Sequence, residues 1–161
     1  MMKSEKIALG FPPVFNENSK VLILGSFPSV KSREVALYYG NKQNRFWKMI
    51  CGYFNVPIPE TTEEKRAFLL KNGVALWDMV ESCEIVGSAD SSVKNARLVD
   101  LRTILNKAPL QKILCNGALA YDLFCREYGD LPIPCEKMPS TSPANPRYDE
   151  RIWKKALDDV F

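Results

Sequence analysis

The sequence predicts an α/β protein with three layers, α/β/α, around a short four-stranded parallel sheet. Two observations predict it: short apolar runs that end in glycine or a polar residue, and helical segments between consecutive runs. Strands that alternate with helices of this length form parallel sheets flanked by helices on both faces. The chain has 161 residues, of which 46% are hydrophobic and 25% charged, so we expect residues 1–161 to form a single globular domain.

Four runs are typical of short buried strands. Val21–Gly25 is apolar throughout and ends in glycine, and residues 73–77 and 112–117 repeat that pattern. Continuous apolar runs of this length indicate strands that are buried on both faces. A fourth strand is predicted at Cys135–Met138, ahead of a loop rich in proline and serine.

The segments between these runs carry helical signals. Thr61 is a plausible N-cap, and Glu64 stands at the matching capping-box position three residues later. Helices are predicted over residues 46–54, from residue 61 onward, and over residues 97–108, 118–128 and 147–161.

The loops that follow three of the strands are unusual in length and composition. They cover residues 25–44, 78–95 and 139–146. Ligands of open parallel sheets bind beyond the carboxyl ends of the strands. We therefore expect these three loops to converge on one cleft.

Composition excludes several kinds of catalyst. Histidine is absent, which removes the commonest general base and argues against zinc and against a Ser-His or Cys-His nucleophile. Five cysteines are spread without Cys-x-x-Cys spacing, so we expect free, buried thiols and neither a metal nor another cofactor. Hydrolysis would have to use amides, carboxylates, hydroxyls, lysine or backbone groups. The net charge of +3 is compatible with nucleic acid but does not require it.

The sequence gives no sign of a membrane segment. Its apolar runs are far shorter than the roughly 20 residues that a membrane helix needs. Its first residues lack the apolar stretch of a signal peptide. We expect a cytoplasmic, monomeric protein that does not contact membranes.

Motifs in three of the loops carry a family resemblance. A Gly-x-x-Pro turn at residues 25–28 is followed by Tyr-Tyr-Gly-Asn at residues 38–41 and by Asn-x-Phe-Trp at residues 44–47. This joint pattern resembles the first motif of the uracil-DNA glycosylase superfamily. Residues 75–81 resemble the family's base-reading strand end, and residues 137–143 resemble its DNA-gripping second motif.

The resemblance implies an activity. The strings at residues 25–29, 38–41 and 142–145 are similar to the hypoxanthine-DNA glycosylase branch of the superfamily. We therefore expect a monofunctional DNA glycosylase of base-excision repair. It would hydrolyse the N-glycosidic bond of a flipped, deaminated base in double-stranded DNA, and hypoxanthine is the base that we expect.

The same resemblance assigns residues to roles. Ser26, Phe27, Tyr39 and Asp78 would bind the base, with Tyr39 stacking on it and Asp78 reading its edge. Phe27 occupies the position where many relatives carry a water-activating Asn or Asp. Asn41 is therefore the first candidate for holding the water, and Asn44 is the second. The DNA backbone would be contacted by Ser140, Thr141, Ser142, Pro143, Ala144, Asn145 and Arg147.

Other interpretations stay open. A neighbouring enzyme of the superfamily would remove uracil or mismatched thymine instead. Phe27 favours a catalytically silent module that binds DNA or a nucleotide. Tyr39 could simply pack in the core, and Asp78 could cap the next segment. Asp90, Ser91, Ser92, Lys94 and Asn95 could contact DNA or form a solvated connection.

Overall fold

The computed structural model describes residues 7–84 and 94–161. In these ranges the strands belong to a parallel sheet and an antiparallel sheet. In chain order the elements are β1 (Ile7–Leu9), β2 (Val21–Gly25), α1 (Val30–Val35), α2 (Phe46–Tyr53), α3 (Thr62–Lys71), β3 (Val74–Asp78), β4 (Val80–Glu84), β5 (Lys94–Leu98), α4 (Arg102–Leu105), β6 (Lys112–Asn116), α5 (Ala118–Tyr128), β7 (Cys135–Met138) and α6 (Glu150–Asp158).

The predicted four-stranded parallel sheet is confirmed. Its strand order is β3-β2-β6-β7, and every neighbouring pair is parallel. Val21 at the start of β2 lies opposite Val74 on one side and Lys112 on the other. All residues of β2 and β3 are buried, which explains the continuous apolar runs in the sequence.

Helices cover both faces of this sheet, as predicted. The connections from β2 to β3 and from β6 to β7 run in opposite directions across the sheet. Because such crossovers are right-handed, α1 to α3 lie on one face and α5 on the other. In agreement, α5 packs on β6 and β7, while α6 contacts α2. Within the described ranges, every helix falls short of the length and apolar character needed to cross a membrane.

The antiparallel sheet, formed by β1, β4 and β5, was not predicted. β4 pairs with both of the other strands, with Ala8 opposite Cys83 and Val80 opposite Leu98. The prediction of a helix over residues 97–108 is wrong, since its first residues belong to β5 and the helix is reduced to α4. Four of the five residues of β5 are exposed, so its sequence carries no alternation that indicates a strand.

Side-chain caps set the ends of several helices. The short helix α1 lies inside a predicted loop and begins at the side-chain cap of Ser29. Thr61 caps α3 as predicted, because its Oγ1 accepts a hydrogen bond from the Glu64 amide at 3.0 Å. The last helix starts later than the predicted Arg147, since Asp149 provides its N-cap.

The segment that precedes β2 covers the outer edge of β3. Val14 and Leu76 exchange two backbone hydrogen bonds of 2.9 Å each. The Tyr38 hydroxyl donates to the Pro12 carbonyl at 2.9 Å. The Trp77 indole donates to the Phe11 carbonyl at 3.2 Å. This segment therefore contacts Tyr38 of the loop that joins β2 to α2.

The cysteines differ in exposure. All five are free thiols, in agreement with the prediction. Cys51, Cys83 and Cys115 are buried and Cys135 is half-buried, but Cys125 is exposed on α5. The expectation of buried thiols is therefore wrong for Cys125.

Candidate active site

A cleft of about 1030 Å³ opens at the carboxyl edge of the parallel sheet. Two of its walls are the first loop (residues 26–45, between β2 and α2) and the second loop (residues 139–147, after β7). The predicted convergence of these loops is confirmed. The cleft is lined by every residue to which the family resemblance assigned a role: Ser26, Phe27, Tyr39, Asn41, Asn44, Asp78, Ser140, Thr141, Ser142, Pro143, Ala144, Asn145 and Arg147.

The third wall differs from the prediction. From the predicted loop over residues 78–95, Asp78 alone lines the cleft among the described residues, because residues 80–84 form β4. The turn from β6 into α5, residues 116–119, takes that place. The sequence analysis left residues 90–95 open between a DNA contact and a solvated connection. Asp90, Ser91 and Ser92 lie outside the described residues, and Lys94 and Asn95 belong to β5 and do not line the cleft.

The floor of the cleft is formed where β2 and β3 end side by side. Asp78, the last residue of β3, lies opposite Gly25 and is 4% exposed. A Cβ atom at Gly25 would overlap Asp78 Oδ1 and come within 3.2 Å of Tyr39 Oη. Glycine at this position therefore leaves room for the carboxylate and the phenol.

Tyr39 is held in a strained conformation. Its ring stacks on Phe46, with ring centroids 4.3 Å apart and an interplanar angle of 28°. Its backbone φ is +54°, in the left-handed region that non-glycine residues adopt rarely and that is enriched at functional sites. Such strain persists where the surrounding structure over-determines the residue, as the stacked ring does here.

The Tyr39 hydroxyl is a buried donor on the cleft floor. Among the described residues it makes no hydrogen bond of standard geometry. Burial raises the pKa of this hydroxyl far above its ordinary value, the Asp78 carboxylate raises it further, and the nearby Asn116 side chain opposes the shift. The phenol therefore keeps its proton at neutral and moderately alkaline pH.

Both candidate asparagines take part in local turns. Asn41 Oδ1 accepts a hydrogen bond from the Gln43 amide at 3.0 Å. Asn44 Oδ1 accepts from the Phe46 amide at 2.9 Å, at the start of α2, and its own amide donates to the Asn41 carbonyl at 2.9 Å. An amide oxygen has two lone pairs, so each can still accept another hydrogen bond. Asn44 thus has a structural task at the helix start, whereas Asn41 shapes only its own turn.

Arg45 joins the two loops. Its guanidinium donates to the carbonyls of Ser142 and, at 2.8 Å, Asn145, and its backbone amide donates to the Thr141 carbonyl at 3.0 Å. The guanidinium also lies over the Tyr148 ring, 4.3 Å from its centroid. The sequence analysis missed this residue, because its partners lie about 100 positions away and leave no local pattern.

Thr141 faces inward, contrary to the expectation that its hydroxyl contacts phosphate. The residue is fully buried. Its Oγ1 accepts a hydrogen bond from Asn116 Nδ2 at 3.0 Å, and its amide donates to Asn116 Oδ1 at 3.0 Å. In this conformation Thr141 fastens the second loop to the end of β6, and its hydroxyl is not available to DNA.

The rest of the second loop is a series of turns. A side-chain oxygen closes each turn by accepting a hydrogen bond from the amide two residues later. Ser140 accepts from Ser142 at 3.1 Å, Ser142 from Ala144 at 3.2 Å, and Asn145 from Arg147 at 3.0 Å. The exposed residues of this loop are Pro143, Ala144, Pro146 and Arg147.

Phe27 and Ser26 occupy the start of the first loop, and both are half-buried. The Arg33 guanidinium lies over the Phe27 ring, 5.5 Å from its centroid. The ring also comes within 3.6 Å of the position that a Cβ atom at Gly10 would occupy. Phe27 has no polar side-chain atom and cannot orient water, as the sequence indicates.

The charges in the cleft suit a polyanion. Among the described residues that line it, Asp78 is the one carboxylate, and Lys137 and Arg147 are the cations. Over residues 7–84 and 94–161, no group of three or more Cys, Asp or Glu side chains is arranged to hold a metal ion. Amides, hydroxyls and backbone groups supply the other hydrogen-bonding atoms of the cleft.

Comparison with known proteins identifies the family. Residues 12–160 match the model of the uracil DNA glycosylase superfamily. The chain belongs to this superfamily. It is therefore a DNA glycosylase, an enzyme that hydrolyses the N-glycosidic bond between a base and its deoxyribose. The superfamily that the sequence motifs indicated is therefore confirmed.

Individual relatives cover most of the chain. A protein of Methanosarcina acetivorans named hypoxanthine DNA glycosylase is 33% identical over 148 residues, which are 89% of this chain and 92% of the relative. A Methanosarcina barkeri protein of the same name is 33% identical over 110 residues, 67% of this chain and 70% of the relative. A solution NMR structure from Methanosarcina acetivorans, described as a candidate uracil DNA glycosylase, superposes with a TM-score of 0.81 at 32% identity and covers 96% of this chain and 98% of that one.

Proposed function

We propose that this DNA glycosylase removes hypoxanthine from double-stranded DNA. It would act in the cytoplasm as a monomer without a cofactor. The Asp78 carboxylate at the floor of the cleft carries the proposal, because a hydrogen-bond acceptor there suits the protonated N1 of hypoxanthine. The name that both Methanosarcina relatives carry supports the same substrate.

Base recognition follows from the donors and acceptors on the floor. An ionised carboxylate can only accept hydrogen bonds, so Asp78 pairs with N1–H of hypoxanthine and repels the unprotonated N1 of adenine. The carboxylate also repels O6 of the base. The protonated Tyr39 hydroxyl lies beside Asp78 and offsets this repulsion, because its O–H can donate toward O6.

Stacking holds the flipped base. With one ring face packed on Phe46, Tyr39 can offer its other face to the base. Base–aromatic stacking contributes roughly 1–3 kcal/mol, which offsets much of the cost of unpairing, itself a few kcal/mol. The fixed ring loses little conformational entropy on binding, because its position is already determined by the protein.

The chemical step needs a positioned water and no covalent nucleophile. Breaking the bond develops positive charge on the sugar and negative charge on the departing base. Asn41 Oδ1 retains a lone pair after bonding to the Gln43 amide, and this lone pair holds the attacking water near C1′. Asn44 supports Asn41 through the hydrogen bond from its amide to the Asn41 carbonyl.

The second loop grips the DNA backbone. Ser140 and Ser142 offer hydroxyls and Arg147 offers a cation to phosphate oxygens, while the exposed Pro143 and Ala144 fill the space vacated by the base. Thr141 contributes from behind, by holding this loop on Asn116.

A base-release assay tests the proposed substrate. Duplexes containing one hypoxanthine, uracil, xanthine or guanine-paired thymine are incubated with excess enzyme, and free base and abasic sites are quantified over time. We expect hypoxanthine to be released fastest and adenine in the undamaged duplex to stay in place. Preferred release of uracil or thymine would assign the chain to a neighbouring activity. Binding to lesion DNA without release of any base would support the silent module that Phe27 favours.

Asp78→Asn sharpens this test. The substitution keeps the shape of the side chain but replaces one acceptor oxygen with a donor NH₂ group. We expect release of hypoxanthine to fall about 10-fold or more, the scale of one hydrogen bond to a charged group. Release of uracil should fall less, because an amide can pair with both its carbonyl and its N–H. Equal losses on both bases would remove Asp78 from base reading.

A further inference from the structure

A buried serine on α1 reaches the part of the first loop that carries the site. Ser32 is 2% exposed, and its Oγ accepts a hydrogen bond from the Gly40 amide at 2.9 Å. The Ser29 hydroxyl donates to the same Oγ at 3.0 Å. The Ser32 backbone carbonyl accepts from the Leu37 amide at 3.1 Å. One residue thus ends the helix and binds the loop.

Gly40 fits tightly against α1. A Cβ atom there would lie 2.5 Å from Val35 Cγ2 and 3.0 Å from the Leu37 carbonyl oxygen. No larger residue fits between the loop and the helix. The backbone of Gly40 therefore packs directly against α1, and its amide donates to the Ser32 hydroxyl there.

The hydrogen bond between Gly40 and Ser32 matters because Gly40 lies between two candidate site residues. Gly40 lies between Tyr39, whose φ of +54° is strained, and Asn41. The hydrogen bond that the Gly40 amide donates to Ser32 Oγ fixes the plane of the Tyr39–Gly40 peptide. That plane fixes the backbone ψ of Tyr39, which limits the rotamers open to its ring, and it directs the chain into Asn41.

We propose that Ser32 is a positioning residue for base excision. Its hydroxyl holds the Gly40 amide, and thereby keeps the Tyr39 ring and the Asn41 amide in the arrangement that the reaction needs. The proposal rests on the function proposed above for the cleft. Loss of this one acceptor should mainly slow the chemical step, since small misplacements of reacting groups cost up to about 100-fold in rate.

The test compares two serines of the same kind. Ser32→Ala removes the acceptor of the Gly40 amide. Ser19→Ala is the matched control, because Ser19 is fully buried and its Oγ accepts the Asn16 amide at 3.0 Å, at the end of β2 opposite the cleft. For each variant we would measure the melting temperature, the Kd for a hypoxanthine duplex and the single-turnover rate of base release.

We expect Ser32→Ala to lower the single-turnover rate about 10-fold, with less than a twofold change in Kd. Ser19→Ala should lower the melting temperature by a similar amount and keep the parent rate. Equal rates in the two variants would overturn the proposal. So would a rate loss in Ser32→Ala that is matched by an equal loss of affinity.

A double-mutant cycle separates positioning from general support. Because Ser32 is proposed to act through both Asn41 and Tyr39, the effect of Ser32→Ala should shrink in an Asn41→Ala background to the part that acts through Tyr39. A full 10-fold effect in that background would mean that Ser32 does not position Asn41, which contradicts the proposal.

Hydrogen exchange at the Gly40 amide gives a readout that does not depend on activity. NMR of the free protein should show faster exchange of this amide in Ser32→Ala and parent-like exchange in Ser19→Ala. An unchanged exchange rate in Ser32→Ala would refute the positioning contact. Should the parent release no base at all, the proposed function fails, while the amide exchange still decides whether Ser32 holds the loop.

Discussion

The two loops that line the cleft are stabilised in opposite ways. The first loop is held from within its own half of the chain, by Ser32, by the ring of Phe46 and by turns closed at Asn41 and Asn44. The second loop makes its own turns but is anchored by residues outside it, namely Arg45, Asn116 and Trp153, whose indole donates to the Pro139 carbonyl at 2.9 Å.

This difference suggests a division of tasks. The first loop contains the strained and tightly packed groups, and its Tyr39 and Asn41 line the cleft in which we propose that the base and sugar bind. The second loop exposes Pro143, Ala144 and Arg147 on a surface that a duplex can reach. Changes in the first loop should therefore alter rate, and changes in the second loop should alter affinity. Variants of single residues can break or sharpen this distinction.

The largest effect is expected at Asn41 in the first loop. Asn41→Ala should lower the single-turnover rate by about 100-fold or more, the scale for losing one positioned polar group, with little change in Kd. Asn41→Asp should keep activity, since a carboxylate also accepts from water. Parent-like turnover of Asn41→Ala with a dead Asn44→Ala would transfer the role to Asn44. Full activity of both would refute this mechanism.

Arg45 should affect both loops, because it connects them. Arg45→Met keeps the length of the side chain but removes the donors to Ser142 and Asn145. We expect DNA affinity to fall about 10-fold as the second loop loses its tether, with a smaller fall in rate. Arg45→Lys should rescue little, because an ammonium group cannot reproduce the planar fork. An unchanged Kd in both variants would mean that the Arg45 tether does not contribute to DNA binding by the second loop.

Arg147 tests the second loop alone. Arg147→Ala should weaken binding to lesion and undamaged duplexes equally, by roughly 3- to 10-fold, and reduce the slope of log K against log salt by about one. Titrations at several salt concentrations measure both quantities. A loss confined to lesion DNA would make Arg147 a base reader and erase the distinction between the loops.

The smallest effect is expected at Thr141. Thr141→Val keeps the volume but removes the hydroxyl that accepts from Asn116. The free energy of unfolding should fall by about 1 kcal/mol, the usual net value of one hydrogen bond, while Kd stays within about twofold. Ser142→Ala removes a half-buried hydroxyl that is proposed to contact phosphate, and it should lower affinity more than stability. A large loss of affinity in Thr141→Val would indicate that the Thr141 hydroxyl contacts DNA after all.

The sequence is sufficient to predict the parallel sheet and the convergence of two loops, because buried strands and motif spacing are local signals. Val21–Gly25 is recognisable without any partner, since burial on both faces makes it apolar throughout. Tyr39 and Asn41 are expected in the cleft because they lie in the loop that follows such a strand, and the family resemblance is what assigns them their roles. The roles of these residues remain predictions.

Features that depend on distant partners were missed. β5 has four exposed residues and is a strand only because β4 pairs with it. α1 is too short to show a helical period, and its N-cap Ser29 and its Ser32 are residue types that are typical of loops. The inward orientation of Thr141 requires Asn116, 25 positions earlier, which no local pattern reveals.

The bridge between Val14 and Leu76 has a consequence for self-association. Edge strands with free backbone groups invite pairing with another chain. At one edge of the parallel sheet, Val14 occupies the backbone groups at the centre of β3. At the other edge, β7 has four residues and carries Glu136 and Lys137, and these charges disfavour pairing of β7 with a strand of a second molecule. A chain shortened beyond Val14 would uncover an apolar strand and would be expected to aggregate.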